Sequence, residues 1–253
     1  MFKHAITRVP GPDYPKGLTT STLPAPDLAL TIKQHEAYVA CLQSLGLTVT
    51  VLPAADGFPD ACFVEDTAVV TAEVGIITNP GAPSRQGEIQ SIIPELAKHR
   101  DRRHILAPGT LDGGDILQVE RQFFIGVSDR TNDEGARQLV AILEEFGYTC
   151  HIIKVAAGLH LKSSLNYVGE NTMLVTRDFS GHPAIGSFRE IICPDGEEYA
   201  ANTLLINGTL IMPEGYPKTH NALKSLGLPI VLLDTSEYRK MDGGLTCLSL
   251  RLT

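Results

Sequence analysis

Between residues 115 and 155 the hydrophobic positions change period twice. Residues 115–119 and 123–126 are short apolar runs around the turn Arg121-Gln122, the pattern of two paired strands. Asn132 then precedes Ala136, Leu139, Val140, Leu143 and Phe146, which recur at helical spacing. Asp133 and Glu134 stand in the first turn, where a helix favours negative charge, and Gly147 marks the end. Residues 151–155 return to a strand pattern.

The same order recurs. Residues 203–206, the turn Asn207-Gly208 and residues 209–212 predict a hairpin. Thr219 is the expected cap of a helix through Ala222, Leu223 and Leu226, followed by Gly227 and a strand at 230–233. A third copy runs through strands at 67–71 and 75–78 into a helix near 87–96. A fourth is partial, with a helix at 27–45 closed by Gly46 and a strand at 48–52. A fifth is suggested by strands at 164–167 and 172–176, with its helix poorly marked. Units of about 40 residues repeated in this way predict modules packed around a common axis. No Pro/Gly/Ser-rich linker separates them, so residues 1–253 read as a single domain.

Composition narrows the partners. The 253 residues carry 21 Lys+Arg against 29 Asp+Glu, a formal charge of −8. An acidic chain is a poor generic binder of polyanions, so no nucleic-acid and no membrane partner is expected. A cationic small molecule fits better. Neither a leader-like apolar run nor a stretch of about 18 apolar residues is seen. Cys41, Cys62, Cys150, Cys193 and Cys247 are odd in number, widely spaced and without a C-x-x-C pair, which suits reduced thiols in the cytoplasm. Exposed apolar strands leave a homodimer open.

Four segments look unlike packing. One is Phe58-Pro59-Asp60-Ala61-Cys62-Phe63-Val64-Glu65-Asp66, where carboxylates sit among apolar neighbours. Buried together they need a cation, and adjacent strand residues point to opposite faces, so a bend is required for Glu65 and Asp66 to meet one ligand. Leu111-Asp112-Gly113-Gly114-Asp115 lets something approach the backbone closely. Leu159-His160-Leu161-Lys162 holds an imidazole. Met241-Asp242-Gly243-Gly244-Leu245-Thr246-Cys247-Leu248-Ser249-Leu250-Arg251 brings a thiol between a Gly-rich turn and a final apolar strand. Taken singly, each has a plain reading: a solvated strand end, a loop, a satisfied buried histidine, a buried structural cysteine. A basic residue also recurs before predicted helices, at Arg85, Arg130 and Lys218, where it could bind a carboxylate or simply be surface charge. Together the segments supply a thiol, an imidazole, a carboxylate to orient it and an acidic cluster to hold a cation. That set suits displacement at a guanidinium carbon.

On the motifs Phe63-Val64-Glu65-Asp66, Leu111-Asp112-Gly113-Gly114-Asp115, Leu159-His160-Leu161-Lys162 and the run from Asp234 to Cys247, the chain resembles the dimethylarginine dimethylaminohydrolases of the guanidino-modifying pentein superfamily. The resemblance spans nearly the whole chain. It implies an α/β fold, a five-module α/β propeller of strand-strand-helix-strand units around a central active site. It also implies hydrolysis of Nω-methylated arginines to citrulline plus methylamine or dimethylamine, with no metal and no cofactor. By family position Cys247 resembles the nucleophile and His160 the general acid/base. Asp112 stands where a carboxylate, Glu in some relatives, orients the histidine. Glu65 and Asp66 resemble the guanidinium cage, Arg85 and Arg130 the substrate-carboxylate site, and Leu18 and Asp60 the amino-acid end. Backbone near Met241 and Asp242 would close the reacting end, with Met241 where relatives commonly carry Val or Ile. Gly17-Leu18-Thr19-Thr20-Ser21 resembles the mobile lid.

Three other readings compete, of which the amidinotransferases are the weaker because they must exclude water from the thiouronium stage. Arginine deiminases use a similar constellation but usually carry a carboxylate two residues after the histidine. Lys162 stands there, which leaves the cage incomplete and makes room for N-methyl groups. A non-catalytic pentein acting as a binding or assembly factor would not need Cys247, His160, Asp112, Glu65 and Asp66 together.

Overall fold

Asp27 is a helix cap by chemistry as well as position, since its Oδ1 accepts from Leu30 N at 3.1 Å. It opens α1 (Leu28–Ser44) between the parallel strands β1 (His4–Arg8) and β2 (Thr48–Leu52). The computed structural model describes residues 1–155 and 160–253. Leu159, singled out with its histidine motif, lies outside the described residues.

Each later module begins with a hairpin and adds a third strand parallel to the second. These are β3 (Ala68–Val70), β4 (Val74–Ile77) and β5 (Asp101–His104), then β6 (Ile116–Val119), β7 (Gln122–Val127) and β8 (Thr149–Lys154). There follow β9 (Leu165–Tyr167), β10 (Thr172–Val175) and β11 (Arg189–Ile192), and β12 (Leu204–Ile206), β13 (Thr209–Pro213) and β14 (Ile230–Leu233). β15 (Leu250–Leu252) pairs antiparallel with β1, so the end of the chain completes the first sheet and closes the ring. This is the five-module α/β propeller expected above.

The middle strand of each sheet is almost wholly buried, because sheet and helical cover enclose it on both faces. Ile6, Ile77, Ile92, Leu96, Leu250 and Leu252 share one core between the first two modules. The first strands, β3, β6, β9, β12 and β15, line a central cavity of about 220 Å³.

Three expectations need correction. The predicted helix at 87–96 is a 3₁₀ stretch, Pro83–Ser91, followed by the single turn α2 (Ile93–Leu96). Pro94 has no N–H to donate, so an α-helix restarts there rather than running through. In the fifth unit two 3₁₀ turns, Arg177–Phe179 and Pro183–Ile185, replace a helix, interrupted by Gly181 at φ +73°. The third concerns caps. α3 (Asp133–Glu145) is capped as predicted, Asn132 Oδ1 accepting from Gly135 N at 2.8 Å. Thr219, however, lies inside α4 (Pro217–Leu223), and the N–H groups of Lys218 and Thr219 donate to Glu197 from the preceding loop at 3.2 and 2.7 Å. Of the three basic residues expected before helices, Lys218 is thus within α4 and Arg85 within the 3₁₀ stretch, and Arg130 alone precedes its helix.

Candidate active site

Every module enters its first strand through a 3₁₀ turn, and these five turns carry the chemistry. They are Val64–Thr67, Gly113–Asp115, Leu161–Ser163, Glu198–Ala201 and Thr246–Leu248. Packed side by side around the axis, they present Asp66, Asp112, His160 and Cys247 to one another. Asn202 closes the ring: its Nδ2 donates to Lys162 O at 3.2 Å and to Thr246 Oγ1 at 3.1 Å, and its Oδ1 accepts from Thr246 N at 2.9 Å.

The contacts between turns leave no room for side chains at two positions. A Cβ on Gly113 would collide with the Glu65 carbonyl, and one on Gly114 would stand 2.7 Å from His160 Nδ1. Gly114 N instead donates to Asp66 Oδ1 at 2.8 Å. Asp66 Oδ2 accepts from Arg85 Nη1 at 2.6 Å. Asp112 Oδ1 accepts from Gly81 N at 2.8 Å, leaving Oδ2 to meet His160 Nε2 at 3.1 Å. Asp115, fully buried, accepts from Leu161 N, Ser128 Oγ and Thr131 Oγ1 at 2.9, 2.7 and 2.6 Å, so it locks the histidine's turn to its neighbour.

Ten of the eleven residues singled out line a single cavity of about 160 Å³: Leu18, Asp60, Asp66, Arg85, Asp112, Arg130, His160, Met241, Asp242 and Cys247. The exception is Glu65. The bend required by the adjacent carboxylates exists, but it sends Glu65 to the central 220 Å³ cavity, which shares no lining residue with the first. There Glu65 Oε1 accepts from Lys162 Nζ at 2.6 Å and from Arg251 Nη2, while Oε2 has no partner among the described residues.

At the other end, Asp60 accepts from Leu18 N at 3.1 Å. Asp242 Oδ2 accepts from Thr20 N, Thr20 Oγ1 and Thr19 Oγ1, the last two at 3.0 and 3.2 Å, so the segment from Leu18 to Thr20 is tied across the cavity mouth. Arg85 is buried and spends nearly all its donors on Asp66, Glu88 and the carbonyls of Asp60 and Phe63. One Nη1 proton is left over from the five that a guanidinium offers. Arg130 is half-buried, and its guanidinium has no partner among the described residues.

Charge sets the protonation states. Burial pushes the Cys247 thiol up to about 12, reinforced by Glu65 and Asp66 and opposed by Lys162. Burial alone would lower His160, but Asp66, the Asp112 hydrogen bond and Asp115 outweigh it and raise the imidazole to about 9. Burial opposes the Asp66 charge, yet His160 and Arg85 hold that carboxyl at about 2. Here a neutral thiol stands beside an imidazolium and the Asp66 carboxylate. Ligand atoms of Asp66, Asp112 and His160 lie within 4.8 Å of one another, spacing that suits a divalent cation. The imidazolium proton and the Arg85 guanidinium already supply the positive charge there.

Sequence reasoning gave no role to Arg251, the last residue of its fourth segment, and passed over Glu88. Leu-Arg-Leu alternation at 250–252 puts Arg251 on the opposite face from its neighbours, but nothing local says that this face meets the axis. Glu88 follows Arg85 by three residues, a spacing that does hint at a pair.

Comparison with known proteins gives a consistent result. Residues 27–181 match the family described as N,N dimethylarginine dimethylhydrolase, eukaryotic. The N(G),N(G)-dimethylarginine dimethylaminohydrolase of Pseudomonas aeruginosa is 44% identical over 253 residues, covering 99% of this chain and 100% of that protein. The protein of the same name from Streptomyces coelicolor is 36% identical, covering 99% and 97%. A solved structure of the Pseudomonas aeruginosa enzyme, a cysteine-to-serine mutant complexed with citrulline, superposes with a TM-score of 0.96 at 44% identity over 99% of each chain. The N-terminal domain of a cyanobacterial arginine dihydrolase shares the fold at 15% identity, with a TM-score of 0.88 over 98% of this chain and 97% of that one.

Proposed function

The chain belongs to the dimethylarginine dimethylaminohydrolase family, and on that premise we propose that it hydrolyses Nω-methylated arginines to citrulline plus methylamine or dimethylamine, using Cys247, His160 and Asp112. The observation that carries the reading is that Cys247, His160, Asp112 and Asp66 line one cavity, with His160 Nε2 3.1 Å from Asp112 Oδ2, an acidic setting that a cationic substrate would activate.

Asp66 attracts the guanidinium, and Asp60 with Leu18 receives the amino-acid end. Arg130 and the spare Arg85 proton bind the α-carboxylate. A unit positive charge about 4 Å from the sulfur contributes about 4 kcal/mol at an effective dielectric near 20, roughly three pKa units. That brings a thiol at about 12 down to about 9, so binding arms the nucleophile as its proton leaves to solvent. The thiolate adds to the guanidinium carbon. His160, held by Asp112, gives its proton to the departing amine, leaving a cationic S-alkylthiouronium on Cys247. The neutral imidazole then takes a proton from the attacking water. Collapse of that intermediate expels the thiolate and yields citrulline.

Methylated arginine is favoured over arginine by the position two residues after His160. A second carboxylate clamp there would bind the terminal N–H groups, whereas Lys162 is a cation already engaged with Glu65. We assign residues 1–253 to one catalytic domain acting in the cytoplasm, which its five free cysteines support. Among the described residues no helix is long and apolar enough to cross a membrane.

The test compares dimethylamine release from asymmetric dimethylarginine with ammonia release from arginine, for the native enzyme and Cys247→Ser. Dimethylamine released by the native enzyme and lost in the variant supports the reading. Preferential ammonia release would make the protein a deiminase, and substantial turnover by Cys247→Ser would remove the nucleophile assignment.

A further inference from the structure

Arg251 lies outside the substrate cavity, yet it joins the two sides of the nucleophile's environment. Its Nη1 donates to Thr246 O at 2.9 Å, to Ser249 O at 2.8 Å and to Ser249 Oγ at 3.0 Å, all within the segment that carries Cys247. Its Nη2 donates to Glu65 Oε1, on the neighbouring turn. Ser249 Oγ is itself fixed by the buried Tyr38 hydroxyl at 2.7 Å, so the guanidinium has a rigid seat. We infer that Arg251 is a positioning residue for the reaction: it braces the Cys247 turn against Glu65 and offsets that carboxylate's charge at the sulfur. The assignment rests on the functional reading above in so far as Cys247 is the nucleophile.

The charge argument is one of balance. Glu65 and Asp66 act electrostatically on the sulfur from one turn, Lys162 from another, and Arg251 from its own strand. The cavity that holds the sulfur is also lined by the titratable or charged Asp112, His160, Asp60, Asp242, Arg85 and Arg130. The Tyr199 hydroxyl also lies within electrostatic range. Glu65 Oε1 receives two cations and Oε2 none, so the carboxylate's residual charge at Cys247 depends on both Lys162 and Arg251 being present. Without Arg251 Glu65 keeps only Lys162 as its cation, and one positive charge is lost beside a group that must become an anion. The same change makes the pocket more attractive to a cationic substrate. Chemistry and binding should therefore respond in opposite directions, which loss of packing would not produce.

The experiment measures iodoacetamide alkylation of Cys247 against pH in the substrate-free protein, locating the label by peptide mass spectrometry, alongside kcat and KM for asymmetric dimethylarginine. Arg251→Gln keeps a donor for the Thr246 carbonyl and loses the charge. It is expected to move the alkylation profile up by about one pH unit and to lower kcat about tenfold, with KM unchanged or smaller. Arg251→Lys keeps the charge without the fork and is expected to hold the native profile. An unshifted profile in Arg251→Gln, or a KM that rises as kcat falls, overturns the proposal. Should Arg251→Gln fail to fold, Arg251→Lys carries the test: a native profile supports the charge role and a shifted one overturns it. Absence of amine release by the native enzyme would instead count against the functional reading, while the alkylation profiles still judge Arg251.

Discussion

Arg85 is spent on Asp66: its Nη1 lies 2.6 Å from Asp66 Oδ2, and its other donors go to Glu88 and backbone carbonyls. Arg130, on the same cavity, is free of such ties among the described residues. The two arginines, grouped together by their positions in the sequence, therefore have different duties. Arg85 holds two buried carboxylates in place and keeps one Nη1 proton for a ligand, whereas the whole Arg130 guanidinium is available for one.

Substitution should separate them. Arg85→Ala leaves Asp66 and Glu88 buried without their cation and is expected to cost about 3–5 kcal/mol, read by urea denaturation. Arg130→Ala should leave stability within about 0.5 kcal/mol. It should raise KM for methylarginine at least tenfold, while a methylated guanidine lacking the α-carboxylate shows no change. Equal losses for both guanidines would remove Arg130 from the carboxylate site.

The Lys162–Glu65 pair gives a second prediction. Both side chains are nearly buried, at 7% and 4% exposure, with Nζ 2.6 Å from Oε1. Lys162→Met removes one of two cations from a buried carboxylate whose second oxygen is already unpartnered. The expected loss is about 2–3 kcal/mol, less than for a fully orphaned charge because Arg251 remains. Slower alkylation of Cys247 at pH 8 should accompany it, since Lys162 pulls the thiol down. A variant as stable as the native protein would argue that the pair is solvated.

Much of this architecture was legible because it is local. Asn132 with the helical spacing of Ala136, Leu139 and Leu143, and the Asn207-Gly208 hairpin, each specify an element within a dozen residues. β5 was not legible: Asp101-Arg102-Arg103-His104 faces solvent at the rim and carries no apolar signal, and β11 offers only the two apolar residues Ile191 and Ile192 after Arg189-Glu190. Closure of β15 onto β1 joins the ends of the chain, a pairing no window reveals. The site residues stood out as charges among apolar neighbours. Whether adjacent Glu65 and Asp66 met one ligand depended on how the Val64–Thr67 turn winds, and there they part into two cavities.

His160 links stability to pH. Its imidazole is raised from an ordinary 6.5 to about 9 in the folded protein, after burial has been outweighed by Asp66, Asp112 and Asp115. Because the folded state holds the proton more tightly, this contribution is complete below about pH 6.5 and is lost as pH rises through about 9. Its size is about 3 kcal/mol. Glu88, pushed up to about 7 by burial, titrates nearby, so the comparison must be made by difference. Urea denaturation of the native protein and His160→Gln at pH 6 and pH 9.5 should show the native protein losing more. Parallel loss in both would place the dependence elsewhere.

Asp242 allows the closure of the cavity mouth to be tested apart from backbone strain. Its φ is +57°, a left-handed conformation that Asp tolerates better than most residues, and its carboxylate gathers three donors from Thr19 and Thr20. Asp242→Asn retains the left-handed tolerance and gives up the charge, which roughly halves the strength of such hydrogen bonds. Asp242→Gly relieves the backbone and removes the latch altogether. If the latch matters, both variants should raise KM, by about threefold for Asn and about tenfold for Gly. Proteolysis around Leu18 to Leu23 should quicken in the same order. If backbone strain alone matters, Asp242→Gly should be the more stable protein with KM unchanged, and the Asn variant should behave as the native enzyme. A native KM in both would detach the Leu18–Thr20 segment from substrate retention.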